Sequence, residues 1–231
     1  MFYYGYDPTY ILVLIGFGIT LLAQIFVSSS YKKYKKVETK SGLQGFEVAR
    51  RILDMNGLHN VDIVETKGEL TDHYDPTRKV VRLSTDIYHG KSIASSSVAA
   101  HECGHAVQDK EGYFFLRLRA SLVPVVNIST KVGMIALMIG LIFGALKLAW
   151  LGIFLELGIL LFQLITLPVE FDASKRAAEY LKKETLIEAK EQSGSKKMLN
   201  AAAMTYVASV VSALLEILRL VLLVSNSSRD D

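Results

Sequence analysis

Hydrophobic residues fall into three long blocks that polar segments separate. The first block runs from Tyr10 to Val27, the second from Val132 to Leu167 and the third from about Asn200 to Val224. A helix of about 20 apolar residues spans the hydrocarbon core of a membrane, so the blocks have the length that a crossing needs. Composition agrees, since 51% of the residues are hydrophobic and 21% are charged. The pattern predicts an integral membrane protein in contact with a lipid bilayer.

The second block is too long for a single crossing. Its 36 residues would form a helix of about 54 Å at 1.5 Å per residue, while the hydrocarbon core is about 30 Å thick. We therefore expect a hairpin of two helices over residues 128–168, with its turn at Lys147–Trp150. Gly140 and Gly144 have the spacing that lets helices approach closely. Single helices over 10–28 and 200–224 bring the total to four transmembrane helices.

Positive charges predict the orientation of these helices. Residues 31–120 contain 15 Lys and Arg, residues 171–199 contain 7, and residues 1–10 contain none. Lys and Arg concentrate in cytoplasmic segments, and four crossings put both rich segments on one side. Within the apolar blocks, Glu156 and Arg219 are expected to pair between helices, which lowers the cost of burying their charges.

The polar segment 31–121 has the pattern of a small mixed α and β domain. Helical spacing covers Leu43–Met55, and Gly57 is a plausible end of that helix. Short strands are expected at Val61–Val64, Leu70–Tyr74 and Val80–Leu83, the last two joined as a hairpin by a turn-forming sequence. Ser92 or Ser95 can begin the next helix. The predicted fold class is thus α+β, mainly helical, with a cytoplasmic domain at 31–121 and a cytoplasmic helix at 169–199.

The helix after Ser92 carries the sequence His101-Glu102-Cys103-Gly104-His105. Side chains four residues apart on a helix project from one face, so the two imidazoles can bind one zinc ion. Glu102 points away from the ligands and is placed to take a proton from a zinc-activated water, as general base and then general acid. The alternative is a helix whose two histidines only cap or pack.

Zinc requires a third protein ligand, for which the other histidines and a carboxylate near the membrane are candidates. Glu170 stands out because it directly follows the predicted hairpin, which returns the chain to the face where the motif lies. Glu170 is otherwise an acid suited to the start of a polar helix. Cys103 is the sole cysteine, which excludes intrachain disulfides and Cys-based zinc ribbons. No basic stripe with interleaved aromatics is present, so nucleic acid is not expected as a partner.

Three segments together resemble the YugP-like membrane zinc metallopeptidases of bacteria. They are Leu70–Pro76, Val98–Gln108 and Pro168–Ser174, and they share the order of that family. The resemblance implies a zincin-like domain, one zinc ion per chain, and a protein or peptide as substrate. The family implies a class of reaction and leaves the substrate open.

A weaker resemblance links the chain to the HtpX and Ste24 membrane peptidases. In those enzymes an aspartate four residues after the glutamate ligand orients a histidine, whereas here that position is Ser174. Asp172 or Asp75 is a candidate for that role, and His73 and Arg176 are candidates to stabilise an oxyanion. In gluzincin-like folds a substrate pairs with an edge strand before the motif helix, which suggests Val80, Val81, Arg82, Leu83 and Ser84.

These patterns predict a membrane-embedded zinc metalloendopeptidase, in membrane protein quality control or processing. Two alternatives stay open, namely a zinc hydrolase of a non-peptide amide and a membrane scaffold with a structural zinc site. Structural zinc sites have four protein ligands, while catalytic sites leave one position for water. The number of protein ligands therefore separates the enzyme from the scaffold.

Overall fold

A computed structural model describes residues 7–227 of the chain. Seven helices and three strands follow one another in this part of the chain. Their bounds are α1 Tyr10–Lys35, α2 Gly45–Met55, β1 Asp62–Thr66, β2 His73–Asp75, β3 Val80–Ser84, α3 Thr85–Tyr88, α4 Ile93–Lys110, α5 Phe114–Ile142, α6 Leu146–Lys183 and α7 Ala189–Ser227. The protein is mainly helical with one small sheet, as the sequence predicts.

Four of the helices, α1, α5, α6 and α7, are long and apolar enough to cross a membrane. Their number agrees with the hydropathy prediction. The second apolar block does fold back on itself, but the turn lies at residues 143–145 and not at Lys147–Trp150, which belongs to α6. Gly144 makes the turn with a φ of +67°, a conformation that glycine adopts without strain.

The two glycines of the predicted close-approach motif have separate roles. A Cβ on Gly140 would lie 2.4 Å from the backbone nitrogen of Ala149, so α5 and α6 meet there at very short range. A Cβ on Gly144 would meet nothing within 4 Å. Gly144 is therefore a turn residue, and the prediction that it packs between helices is wrong.

The proposed boundaries at 128, 169 and 200 fall inside continuous helices. The α6 helix passes through Pro168 and ends at Lys183, and α7 begins at Ala189. The separate helix predicted for 169–199 is therefore wrong, since that range holds the end of α6, a short loop and the start of α7. Hydropathy marks where a helix stops being apolar, whereas backbone hydrogen bonding continues as long as nothing interrupts it.

Two compact units divide the described residues. The mixed unit comprises residues 24–117 and 167–204, and the apolar unit comprises residues up to Ala23, Leu118–Thr166 and the chain from Thr205. In the mixed unit, α2, α4, β3 and the end of α6 bury one apolar core. Its largest fully buried side chains include Ile52, Leu53, Val81, Leu83, Val107 and Leu181.

The sheet has the strand order β1-β3-β2, with β1 parallel and β2 antiparallel to β3. The predicted hairpin is confirmed, because β2 and β3 pair across the Asp75–Arg78 turn. The prediction that Val80–Ser84 forms a free edge is wrong. Val80, Val81 and Arg82 have partners on both sides, and Ser84 donates its backbone N–H to Asp72. The connection between the parallel strands β1 and β3 is long and contains β2. In the sheet, β3 therefore lies between β1 and β2.

Candidate metal centre

The α4 helix positions the two histidines of the motif. Ser92 caps its first turn by accepting a hydrogen bond from the Ser95 backbone N–H, which satisfies a donor that lacks a partner within the helix. Small Ala and Ser side chains let α4 be buried over most of its length. The rings of His101 and His105 lie one turn apart, with centroids separated by 4.8 Å and planes nearly perpendicular.

The α6 helix brings Glu170 to these histidines. Its Oε2 atom lies 3.3 Å from Nε2 of His101 and 3.6 Å from Nε2 of His105. Gly104 makes this approach possible, because a Cβ at that position would lie 2.8 Å from the carbonyl oxygen of Ala173. The backbone of α6 fills the space that the missing side chain of Gly104 leaves.

The three side chains fit zinc. Four ligands at about 2.0–2.1 Å in a tetrahedron lie about 3.3–3.4 Å from one another, close to the 3.3 and 3.6 Å observed here. Within residues 7–227, the cluster of potential ligands contains these three residues, whose ligand atoms all lie within 4.8 Å of one another. Two imidazole nitrogens and one carboxylate oxygen form a donor set that zinc commonly takes with a fourth position open.

Charge keeps the Glu170 carboxyl in the form that binds a metal. Burial by itself raises the pKa of the Glu170 carboxyl, but hydrogen bonds with His101 and His105 outweigh it and hold that pKa well below its usual value. Glu170 is only 5% exposed. Its carboxylate is thus ionised and shielded from water before any metal enters.

Glu102 lies on the same helix and is 7% exposed. Burial raises the pKa of its carboxyl, and the carboxylates of Glu170 and Asp72 raise it further, against the lowering effect of the two histidines. A general base works best when its pKa approaches the working pH. Glu102 therefore has the surroundings of a proton-transfer group rather than those of a surface acid.

Each of the two histidines has a second polar contact on its other ring nitrogen. Nδ1 of His105 donates to the amide oxygen of Gln108 at 3.0 Å, and Nδ1 of His101 lies 3.2 Å from the hydroxyl of Ser174. Such contacts fix the tautomer and direct the remaining nitrogen to the metal. Gln108 was not among the predicted site residues, although it lies three positions after His105 on the same helix face.

Asp172 and Arg176 support this arrangement from further out. The Gln108 amide donates to Oδ2 of Asp172 at 2.9 Å and to the carbonyl oxygen of Val169 at 2.8 Å. Arg176 bonds Asp172 at 2.5 Å and forms an ion pair with Glu111 at 2.7 Å. Asp172 thus holds the residue that orients His105, and Arg176 belongs to this ion-pair network. The role of Arg176 at an oxyanion stays a prediction.

His73 and Asp75 lie away from the ligand contacts. Nδ1 of the exposed His73 ring is 2.8 Å from the Thr71 carbonyl oxygen. Asp75 accepts hydrogen bonds from the backbone of Thr77 and Arg78 and so stabilises the hairpin turn. The prediction that Asp75 orients a zinc ligand receives no support from these contacts, and the role of His73 at an oxyanion stays a prediction.

A buried carboxylate fastens the hairpin to the motif helix. Asp109, with a side chain 2% exposed, pairs with Lys79 and with Arg117 at 3.0 Å, and accepts a hydrogen bond from the Tyr74 hydroxyl at 2.9 Å. Burial opposes its ionisation, but the bonds from Lys79 and Tyr74 hold its pKa below the usual value. Sequence reasoning missed Asp109, whose partners are nonlocal.

Comparison with known proteins agrees with this geometry. Residues 9–225 match the family model described as "Putative neutral zinc metallopeptidase". The chain belongs to this family. It is 48% identical over 220 residues to the "Putative membrane protease YugP" of Bacillus subtilis (strain 168). The aligned region covers 95% of this chain and 97% of that protein. No solved structure matches the chain.

Membership confirms the resemblance drawn from the three motifs. The family name indicates a zinc peptidase, and the donor set of His101, His105 and Glu170 is one that zinc accepts. The Bacillus relative is described as a membrane protein, in agreement with four helices able to cross a bilayer.

Proposed function

We propose that this protein is a membrane-embedded zinc endopeptidase with one zinc ion per chain. The observation that carries this proposal is the convergence of two imidazoles and one buried carboxylate within 4.8 Å, beside a second buried carboxylate. The family match supports the same class of reaction. Its substrates are expected to be membrane or unfolded proteins, in quality control or processing.

His101, His105 and Glu170 would hold the metal. Bound zinc supplies a Lewis acid that lowers the pKa of water to near neutrality. Glu102 takes the proton of the attacking water and then passes it to the leaving amine nitrogen. Gln108 and Ser174 keep the two imidazoles in the required orientation, and burial of the site strengthens every electrostatic contact within it.

The substrate strand is expected at β2 rather than β3. Among the described residues β2 has one strand partner, so its outer edge can pair with an extended peptide. Asp72, directly before β2, lies near enough to Glu102 for its charge to raise the pKa of that carboxyl. This places one end of the edge close to the general base.

The proposed site faces the cytoplasm. Segments 31–120 and 171–199, which contain 15 and 7 Lys and Arg, both belong on the positive side under the positive-inside rule. Reporter fusions within each segment test this assignment. Cytoplasmic signals from both support it, and signals from opposite faces of the membrane would contradict it.

A scaffold with a structural zinc site is the second candidate function. It requires four protein ligands, whereas three potential ligands cluster within residues 7–227. That count favours catalysis. Hydrolysis of a non-peptide amide needs the same three ligands and base, so only substrate tests separate it from proteolysis.

The decisive experiment compares Glu102→Gln with a matched control, Glu179→Gln, whose side chain is 62% exposed on α6. Purified full-length protein is assayed for zinc content and for cleavage of an unfolded protein such as casein. We expect Glu102→Gln to retain zinc and lose cleavage by about 100-fold or more, while the control keeps both. Equal cleavage by Glu102→Gln and wild type would refute the proposed role. Zinc binding without cleavage of any protein or peptide by the wild type would favour the scaffold.

A further inference from the structure

A polar cavity of about 310 Å³ lies inside the apolar unit. Helices α1, α6 and α7 line it, and its polar lining residues are Thr20, Glu156, Gln163, Ser209, Ser212 and Glu216. Polar and ionisable residues within membrane-spanning helices are costly and usually functional. The zinc chemistry uses none of these side chains.

Among residues 7–227, one carboxyl in this cavity, that of Glu156, has no positively charged partner. Arg219 pairs with Glu216 at 2.8 Å on the same helix and stacks over the Tyr10 ring at 4.7 Å. The prediction that Arg219 pairs with Glu156 is therefore wrong, since Arg219 pairs with Glu216 on α7, while its Nε atom is buried without a hydrogen-bond partner among the described residues. Within residues 7–227, Oε1 of Glu156 is buried without a hydrogen-bond partner.

The remaining polar groups offer acceptors more than donors. Oε1 of Gln163 is also buried without a partner among the described residues. The hydroxyl protons of Ser209 and Ser212 are already donated to backbone carbonyls of Thr205 and Gly16. Among residues 7–227, the lining of the cavity thus includes one carboxyl, that of Glu156, without a cationic partner and several oxygen acceptors, which a single positively charged donor group would complement.

Glu156 is placed at mid-depth of the apolar stretch of α6. It lies ten residues after Leu146 and eleven before Leu167, which is about 15 Å from either end at 1.5 Å per residue. The hydrocarbon core is about 30 Å thick. A soluble ligand would have to cross half of that core, whereas a residue in the middle of another transmembrane helix already lies at this depth.

We propose that this cavity binds one Lys or Arg side chain from the transmembrane segment of another protein. A cationic side chain would pair with the Glu156 carboxyl, the acceptors match an ammonium or guanidinium group, and the volume accommodates a long side chain. The Glu216 side chain, which also lines the cavity, is 44% exposed. Binding is independent of the peptidase activity. Where both hold, membrane proteins with a basic residue inside a span form the substrate class.

The test measures binding of a fluorescent single-span Leu/Ala peptide to the full-length protein in phosphatidylcholine nanodiscs by energy transfer. The peptide carries either Lys or Leu at its centre. Measurements use the Glu102→Gln background, so that hydrolysis cannot consume the probe. We expect the Lys peptide to bind at least 10-fold more tightly than the Leu peptide, and Glu156→Gln to abolish this preference.

Gln163→Leu provides a second variant in case Glu156→Gln fails to fold, and is expected to weaken the preference several-fold. Glu184→Gln, in the mixed unit, is the matched control and should leave it unchanged. Equal affinity for the two peptides, or a preference that survives Glu156→Gln, overturns the proposal. Loss of the preference in millimolar calcium would assign the cavity to an inorganic cation and overturn it as well. None of these outcomes depends on whether Glu102 is catalytic.

Discussion

Gln108 offers the sharpest test of how the proposed zinc site is held together. It is fully buried and makes three hydrogen bonds, accepting from His105 and donating to Val169 and Asp172. Replacement by Leu keeps the size and removes all three. The Val169 carbonyl and the Asp172 carboxylate have other lone pairs, and Arg176 still bonds Asp172. The Nδ1–H of His105 is the one group left buried without a partner.

The expected losses of stability and of zinc affinity in Gln108→Leu follow from this one unpaired N–H group. A buried donor without an acceptor costs about 1–3 kcal/mol of folding free energy. Loss of a residue that orients a metal ligand lowers metal affinity about 10–100-fold. We expect Gln108→Leu to show both losses, because His105 can then rotate away from the direction that faces Glu170.

Gln108→Glu separates the two contributions. A carboxylate at this position still accepts the proton of His105, but it loses both donated hydrogen bonds and lies against Asp172. Zinc affinity should then stay within about threefold of wild type, since the orienting acceptor is kept, while thermal stability falls. Affinity is measured by competition with a chelator and stability by thermal unfolding of the metal-free protein. Zinc affinity of Gln108→Leu within twofold of wild type would refute the orienting role.

Three further predictions concern the mixed unit. Gly104→Ala should destabilise the protein by about 1–3 kcal/mol and weaken zinc binding, because its Cβ would lie 2.8 Å from the Ala173 carbonyl oxygen. The control is Gly18→Ala, whose new Cβ has no atom within 4 Å. Equal melting temperatures of the two variants would contradict the steric argument. In the folded protein the pKa of Asp109 lies below its usual value. Its contribution to stability is therefore present above the usual pKa and is lost as the pH falls through the folded value. Between pH 7 and pH 3, the free energy of unfolding should fall less in Asp109→Asn than in the wild type. Burial raises the pKa of the Cys103 thiol, so iodoacetamide should label it at pH 8 only after unfolding, and rapid labelling of the native protein would show that α4 opens.

Local patterns in the sequence were sufficient for the elements that carry the site. The cap at Ser92, the helical spacing of His101 and His105, and the turn chemistry of Asp75–Arg78 each depend on neighbours within a few residues. Hydropathy was likewise sufficient for four long apolar helices. It placed the hairpin turn a few residues late, because Lys147 and Trp150 are polar or interfacial in character but lie on a helix.

Nonlocal pairing was the part that the sequence could not specify. The β3 strand looks like one arm of a plain hairpin, and only its parallel pairing with β1, some 18 residues earlier in register, makes it internal. The predicted partner of Arg219 in the apolar unit was wrong for a related reason. Arg219 had two acids within reach of its helix, and the one three residues away competes without any cost of ordering a second helix.

Two neutral side chains contact the histidines of the candidate metal site. Ser174, four residues after Glu170, lies 3.2 Å from Nδ1 of His101. Gln108 supplies the equivalent contact to His105. Both orienting groups are neutral, so they fix the direction of the imidazoles without adding negative charge to the site.

Because Gln108 and Ser174 are neutral, the negative charge next to the metal position comes from the two buried carboxylates, Glu102 and Glu170. A bound divalent cation would be compensated by the ionised carboxylates of Glu170 and Glu102, which would leave no net charge in this poorly solvated environment. Without the cation, burial raises the pKa of Glu102 and favours its protonated form. Metal binding and ionisation of the general base are therefore linked, because the positive charge of the bound cation also stabilises the deprotonated form of Glu102 in the interior.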